Sequence, residues 1–398
     1  MMATYFSDVA VFDGRTLKTR QGVLVEDGTI SWVGPHARAP KLASAALEVE
    51  GAGRTLTPGL IDCHVHLCFD GGADFAGEAR ELTAALSVVK AVRNAARQLE
   101  RGVTTVRDLG GWGSSICEVA GAIERGLVPG PRVLAAGQAL TITGGHGHNL
   151  GIAREVDGPD AVRRAVREEI RGGARVIKVM ATGGVLTPGI TADFTAFTPE
   201  ELAATVDEAH SWDRPVAAHA IGAGGIVQAV LAGVDSIEHG SQITAEAARL
   251  MKEAGTFHVA TICAILGIVG HPDEVPAYAV EKATALAAEQ RDAFRRGVRA
   301  GVRHALGTDA GTPFNPHGSA PRELVHMVGW GLTPLKAMRA ATSDAAALLR
   351  LPDVGAVVAG MAADLCLYEG NPVERIETVL EPSTVMKAGE VVADQLPG

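Results

Sequence analysis

Aromatic side chains are scarce in this chain: they make up 4% of its 398 residues, against a hydrophobic share of 47%. A soluble globular core built this way is mostly aliphatic, and 48 glycines suit many tight turns between closely packed helices and strands. Long apolar runs are also missing, and none approaches the roughly 20 residues of a membrane-spanning helix. The stretch from Met1 to Asp8 lacks a basic region followed by an apolar one, so the expected compartment is the cytoplasm. There is no basic cluster, and a net charge of −10 argues against nucleic acid or an anionic membrane as partner. The five cysteines have no paired spacing, which predicts reduced thiols. None forms a Cys-x-x-Cys pair, so a structural zinc site of thiolates is not expected.

What is present is a rhythm. A chain of this length exceeds the size at which one core stops growing, which predicts a large domain and a smaller one. Residues 1–57 read as short strands, with Asp13-Gly14 and Asp27-Gly28 as hairpin turns. Short apolar strands then recur at 60–64, 104–108, 132–137, 176–180, 216–219, 236–239, 257–261 and 304–308. Helical segments separate or follow them at 78–101, 114–125, 159–172, 199–212, 224–232, 244–254, 277–300 and from 323 onward. Thr198-Pro199-Glu200-Glu201 reads as a helix start, with a capping threonine and a proline in the first turn. This alternation predicts an α/β fold with a (β/α)8 TIM-like barrel over 58–356. A doubly wound sheet would announce a glycine fingerprint after its first strand, and here that strand ends in histidines. The β character of 365–368, 378–380 and 384–392 predicts that the C-terminal part pairs with the N-terminal strands. Residues 1–57 and 357–398 would then form a discontinuous β-sandwich domain. No solenoid repeat or low-complexity segment is evident.

The polar residues fall at the strand ends, where a barrel gathers its active site. In Leu60-Ile61-Asp62-Cys63-His64-Val65-His66, strand alternation turns Asp62, His64 and His66 to one face. Two imidazoles on one face can bind one metal ion, or can simply be a pair of buried histidines. Lys178 lies inside an apolar strand, His219 and His239 end two others, and Asp309 follows Gly307-Thr308. Taken singly, Lys178 could snorkel or pair with an acid, the histidines could be satisfied in the core, and Asp309 could cap a turn. Together these residue types at neighbouring strand ends point to a site for divalent metal.

With these residues in view, the sequence resembles the amidohydrolase superfamily over nearly its whole length. The resemblance rests on Pro58-Gly59-Leu60-Ile61-Asp62-x-His64-x-His66, the lysine of the fourth strand, the histidines of the fifth and sixth, and Gly307-Thr308-Asp309. Gly360-Met361-Ala362-Ala363-Asp364-Leu365 and Gly370-Asn371-Pro372 look like the family's small β-sandwich. Thr143-Gly144-Gly145-His146-Gly147 and Ala181-Thr182-Gly183-Gly184 resemble the imidazolonepropionase-like branch that holds Xaa-Pro and Xaa-Arg dipeptidases and N-acyl amino acid hydrolases. The resemblance implies a binuclear centre, usually zinc, with Lys178 carboxylated by CO2 to a carbamate that bridges both ions. It assigns His64, His66 and Asp309 to one ion and His219 and His239 to the other, with a bridging hydroxide as nucleophile. Asp309 then doubles as acid and base, and His146 contacts the carbonyl oxygen or the carboxylate of a small-molecule substrate. Relatives often form dimers or larger assemblies, so a homo-oligomer is implied as well.

Substrate recognition is less legible. Many members of the dipeptidase branch carry an aromatic residue or histidine where this chain has Ile221. His148, Arg154, His317 and Arg322 are further candidates on loops, and the arginines have the fork that suits a carboxylate. The expected activity is hydrolysis of dipeptides or N-acyl amino acids. The alternatives are another carbonyl or phosphoryl substrate (cyclic amide, lactone, ester, carbamate or phosphotriester) on the same centre, or a non-catalytic metal-binding scaffold.

Overall fold

The computed structural model describes residues 3–394 except 43 and 45. Residues 1, 2, 43, 45 and 395–398, which the expected β-sandwich includes, lie outside the described residues. The first five strands are β1 (Thr4–Phe12), β2 (Leu17–Glu26), β3 (Thr29–Pro35), β4 (Leu47–Glu50) and β5 (Arg54–Pro58). Asp27 and Gly28, with φ of 48° and 79°, turn β2 into β3 as an Asp-Gly hairpin should.

The parallel strands follow. β6 (Leu60–Val65), β7 (Val103–Asp108) and β8 (Arg132–Ala135) form one sheet in that order. β9 (Ala139–Thr141), β10 (Ala153–Glu155), β11 (Ile177–Met180), β12 (Val216–Ala220), β13 (Ser236–His239) and β14 (Phe257–Val259) form a second, ordered β10-β9-β11-β12-β13-β14. Helices intervene: α1 (Phe75–Glu81), α2 (Ala84–Glu100), α3 (Ser115–Glu124), α4 (Pro159–Arg171), α5 (Pro199–Ser211), α6 (Ala223–Ala232) and α7 (Ala245–Ala254). After β14 come α8 (Ile262–Val269), α9 (Ala277–Ala300), α10 (Ala320–Trp330), α11 (Pro334–Ala340) and α12 (Ser343–Leu348). The chain then returns to β structure with β15 (Leu365–Glu369), β16 (Pro382–Lys387) and β17 (Glu390–Asp394), which join the first five strands in one eight-stranded sheet. Its path is β17-β16-β15-β5-β1-β2-β3, with β4 on β1.

Several elements differ from expectation for physical reasons. The helix expected over 78–101 is two helices, because Leu82 is extended and the Thr83 side chain caps α2 through the Leu86 amide. The strand expected over 132–137 bends at Gly137 (φ 73°), so its first half pairs with β7 and the continuation, β9, with β11. The strand expected over 304–308 makes only an isolated bridge, His258 with His304, and just beyond it Val65 bridges Ala310. Its Leu306 amide donates to the Ala340 carbonyl, and the Ile61 amide donates to Ala341, so the end of α11 interrupts the ladder. The Cys63 and His66 amides nevertheless donate to the Leu306 and Ala310 carbonyls, and the Asp309 amide donates to the His64 carbonyl. The parallel strands therefore form two sheets tied by such bonds rather than one continuous ladder. Residues 378–380 belong to a 3-10 turn, Ile376–Leu380, and α8 was not anticipated. The α5 start matches its signal: Thr198 and Glu201 form a capping box behind Pro199.

Aliphatic packing fills the body. Val162, Val166, Val179, Leu202, Ile226, Ile237 and Met251 form one buried cluster between the six-stranded sheet and its helices. Gly307 marks a close approach, since a Cβ there would lie 2.3 Å from Val259 Cγ1 and 2.9 Å from His64 Cβ. That approach brings the 303–310 segment against β6.

Candidate metal centre

Alternation along β6 sends Cys63 and Val65 into apolar clusters, while His64 and His66 face a common cavity. His146, Lys178, His219, Ile221, His239 and Asp309 line the same cavity. His64 Nε2 and His66 Nε2 stand 3.3 Å and 3.2 Å from Asp309 Oδ1. A tetrahedral ion with bonds of about 2.0–2.1 Å needs ligand atoms roughly 3.3 Å apart, so each of the two imidazoles stands from the Asp309 oxygen as ligands of one ion would. His64, His239 and Asp309 also present ligand atoms within 4.8 Å of one another. The His64 and His239 ring centroids are 5.3 Å apart, and those of His219 and His239 are 4.6 Å apart.

The outer nitrogens are occupied, which orients the inner ones. His64 Nδ1 donates to Glu238 at 2.8 Å, and His66 Nδ1 donates to the Gly110 carbonyl at 3.1 Å. His239 Nδ1 donates to the Thr261 hydroxyl at 2.7 Å, whose own proton goes to the Ala260 carbonyl. His219 is reversed: Nε2 donates to the Gly183 carbonyl at 2.7 Å, which leaves Nδ1 as its acceptor. Outer partners of this kind fix tautomer and ring angle at metal sites. Burial holds the His64, His219 and His239 imidazoles well below their ordinary range, so each offers a lone pair at neutral pH. His239, Thr261 and Asp309 all have left-handed φ, of 68°, 51° and 59°. Such backbones cost roughly 1–3 kcal/mol each and cluster at functional sites.

Lys178 and Asp309 carry the unmet demand. Among the described residues, the buried Lys178 Nζ and Asp309 Oδ1 have no hydrogen-bond partner. Burial pushes the lysine down to about 8. Burial also acts to raise the Asp309 carboxyl, but His64, His66 and Lys178 outweigh it and hold the group below its usual value. A carbamate on Lys178, with divalent ions beside it, would turn an orphaned amine into an anionic ligand. The donor set fits metal.

Residues 55–392 match the amidohydrolase family. The chain belongs to that family. Its amidohydrolase relatives include the ochratoxinase of Aspergillus niger, 36% identical over 403 residues that cover 94% of this chain and 82% of that protein. The imidazolonepropionase of Methylobacterium nodulans is 31% identical, with 87% of each chain covered. A solved Xaa-Pro dipeptidase with methionine in its active site superposes with a TM-score of 0.91 at 33% identity, covering 98% of this chain and 99% of that one. As an amidohydrolase, the chain is an amide-bond hydrolase.

Not every candidate reaches the cavity of this amidohydrolase. Arg154 is held by Glu168 at 2.7 Å and Glu169 at 3.2 Å, and Arg322 donates to the Ser319 hydroxyl at 2.8 Å. His317 is buried, with Nε2 donating to the Phe69 carbonyl and Nδ1 accepting from Gln98. His148 is exposed and bonded to the Gly145 carbonyl of its own loop. None of these four lines the cavity. Its wall is instead aliphatic, with Leu150, Ile152, Leu186, Ile221, Ile265, Ile268 and Leu286. Sequence reasoning missed Glu238 and Arg107, both fully buried and paired at 2.9 Å behind His64. Their signal was a charge inside an apolar strand, the same signal that singled out Lys178. Among the described residues, no helix is long and apolar enough to cross a membrane.

Proposed function

We propose that this amidohydrolase cleaves the amide bond of N-acyl amino acids or dipeptides whose acyl group is bulky and apolar, using a binuclear zinc centre. The observation that carries the reading is the convergence of His64 and His66 Nε2 on Asp309 Oδ1 beside the orphaned Lys178 Nζ. His64, His66 and Asp309 would hold one ion, His219 and His239 the other, and a carbamate on Lys178 both. Bound ions would lower the pKa of a water from about 15.7 toward neutrality and polarise the carbonyl. Asp309 accepts the proton of the attacking water and returns it to the departing amine, so a neutral amine leaves. His146 donates to the carbonyl oxygen as charge develops there. The aliphatic wall, Ile221 included, excludes water and receives the acyl group. The ochratoxinase and Xaa-Pro dipeptidase relatives support the substrate class.

We read the two parallel sheets as one barrel-type body over 58–356, with residues 1–57 and 357–398 as a second domain. The backbone bonds that tie the 303–310 segment to both sheets support that division. Five free cysteines support a reducing compartment such as the cytoplasm, and a homo-oligomer follows from the family resemblance alone.

The test is a turnover panel with zinc-loaded protein: N-acyl amino acids graded by acyl size, dipeptides, simple lactones and phosphotriesters. Amide cleavage that rises with apolar acyl size is the expected result. Turnover of lactones or phosphotriesters with no amide cleaved would discard the reading.

A further inference from the structure

His146 sits in the loop after β9 and lines the cavity, with its ring centroid 4.4 Å from that of His219. Its ring lies flat against Gly184, where a Cβ would come within 2.3–2.5 Å of three imidazole atoms. Its Nδ1 is 2.8 Å from the Thr187 hydroxyl, and that same Oγ1 accepts from the Gly147 amide at 3.0 Å. Thr187 is fully buried. A hydroxyl has one proton to give, and among the described residues the Thr187 hydroxyl has no acceptor other than His146 Nδ1. Were the imidazole proton on Nδ1, Oγ1 would accept twice and its own buried proton would be stranded, which is costly. With the hydroxyl donating to Nδ1, the imidazole proton must sit on Nε2. The loop is itself pinned: Lys282 on α9 donates to the carbonyls of Gly184 at 3.1 Å, Thr187 at 2.8 Å and Ile190 at 2.7 Å. Tyr278, one turn earlier on α9, donates to the Leu186 carbonyl at 3.2 Å.

We infer that Thr187, held by Lys282, is a positioning residue that fixes His146 as the Nε2–H tautomer, making it a hydrogen-bond donor toward the substrate carbonyl oxygen. The inference rests on amide hydrolysis at this centre. A neutral imidazole has one proton, so without Thr187 it can turn a lone pair toward the carbonyl oxygen, and the donor is lost.

The experiment combines two readouts on the full zinc-loaded chain. Nitrogen-15 spectra of histidine-labelled protein, with His146 assigned by the signal lost in His146→Gln, should show Nε2 protonated and Nδ1 bare. This needs no turnover, so a wild type inactive on every amide would sink the proposed function, whereas a protonated Nδ1 would sink the Thr187 inference. Thr187→Val should then lower kcat roughly ten- to hundredfold with KM and zinc content within about twofold, and Thr187→Ser should restore it. An unchanged kcat in Thr187→Val, or a Ser variant as impaired as Val, would overturn the inference. If Thr187→Val does not fold, the wild-type tautomer and the Ser variant decide it.

Discussion

At the scale of single residues, the cavity separates groups that could do chemistry from groups that only look able to. The Asp309 carboxyl is held below its usual value beside His64, His66 and Lys178, so it is ionised at neutral pH. Asp309→Asn keeps the volume and removes the proton acceptor, so turnover should fall by roughly 10²–10⁴-fold while the protein stays folded. Near-normal turnover in that variant would remove Asp309 from its role. His317 makes the opposite case. It looked from sequence like a carboxylate binder, yet both ring nitrogens are spent on Gln98 and Phe69, and burial pushes its pKa down to about 4. The unfolded chain protonates this histidine below about pH 6.5 while the folded protein refuses the proton, so its stabilising contribution is complete above that pH. It is lost as pH falls from 6.5 toward 4. The stability deficit of His317→Gln relative to wild type should therefore shrink by about 1.4 kcal/mol per pH unit across that window, measured by urea unfolding at pH 7, 6 and 5. A deficit independent of pH would count against this account.

Among the secondary-structure elements, α8 is the one that sequence reasoning did not anticipate and that the cavity most depends on. Its run Ile262-Cys263-Ala264-Ile265-Leu266-Gly267-Ile268-Val269 is apolar on every face, so it carries no helical period, and its length suits a strand as well. What makes it a helix end is remote. Glu323 on α10 accepts from the Ile262 and Cys263 amides, each at 2.7 Å, where a helix leaves amides unpaired. Glu323→Ala should cost roughly 2–4 kcal/mol by orphaning both amides. Since α8 brings Ala264, Ile265 and Ile268 to the wall, KM should rise more for bulky apolar acyl substrates than for small ones. A thermal melt and that KM ratio check it, and an unchanged ratio would detach α8 from substrate binding. The α5 cap was legible because its donor and acceptor are three residues apart, whereas α8 depends on a partner about 60 positions away.

For the molecule as a whole, the candidate ligands belong to different sheets: His64 and His66 follow the three-stranded sheet, His219 and His239 the six-stranded one, and Asp309 the segment between. Bound ions would tie these parts together. Removing zinc with a chelator should lower stability by about 4 kcal/mol per ion relative to protein with free zinc near a thousandfold above Kd, and zinc should restore it. Calorimetry that shows no shift would mean the residues hold no ion that couples to folding. The sequence alone determined which side chains would converge. Strand alternation and the placing of strand ends act locally, so His64, His66, Lys178, His219, His239 and Asp309 could be singled out before their distances were known. Tertiary structure alone decided how each is used. His64 finds Glu238 174 positions away, and Gln98 finds His317 219 positions away. Arg154 is neutralised by α4, and Thr187 meets His146 across 41 residues. Whether a buried polar group is spent or available depends on which partner packing brings within about 3 Å of it, and no local pattern encodes that.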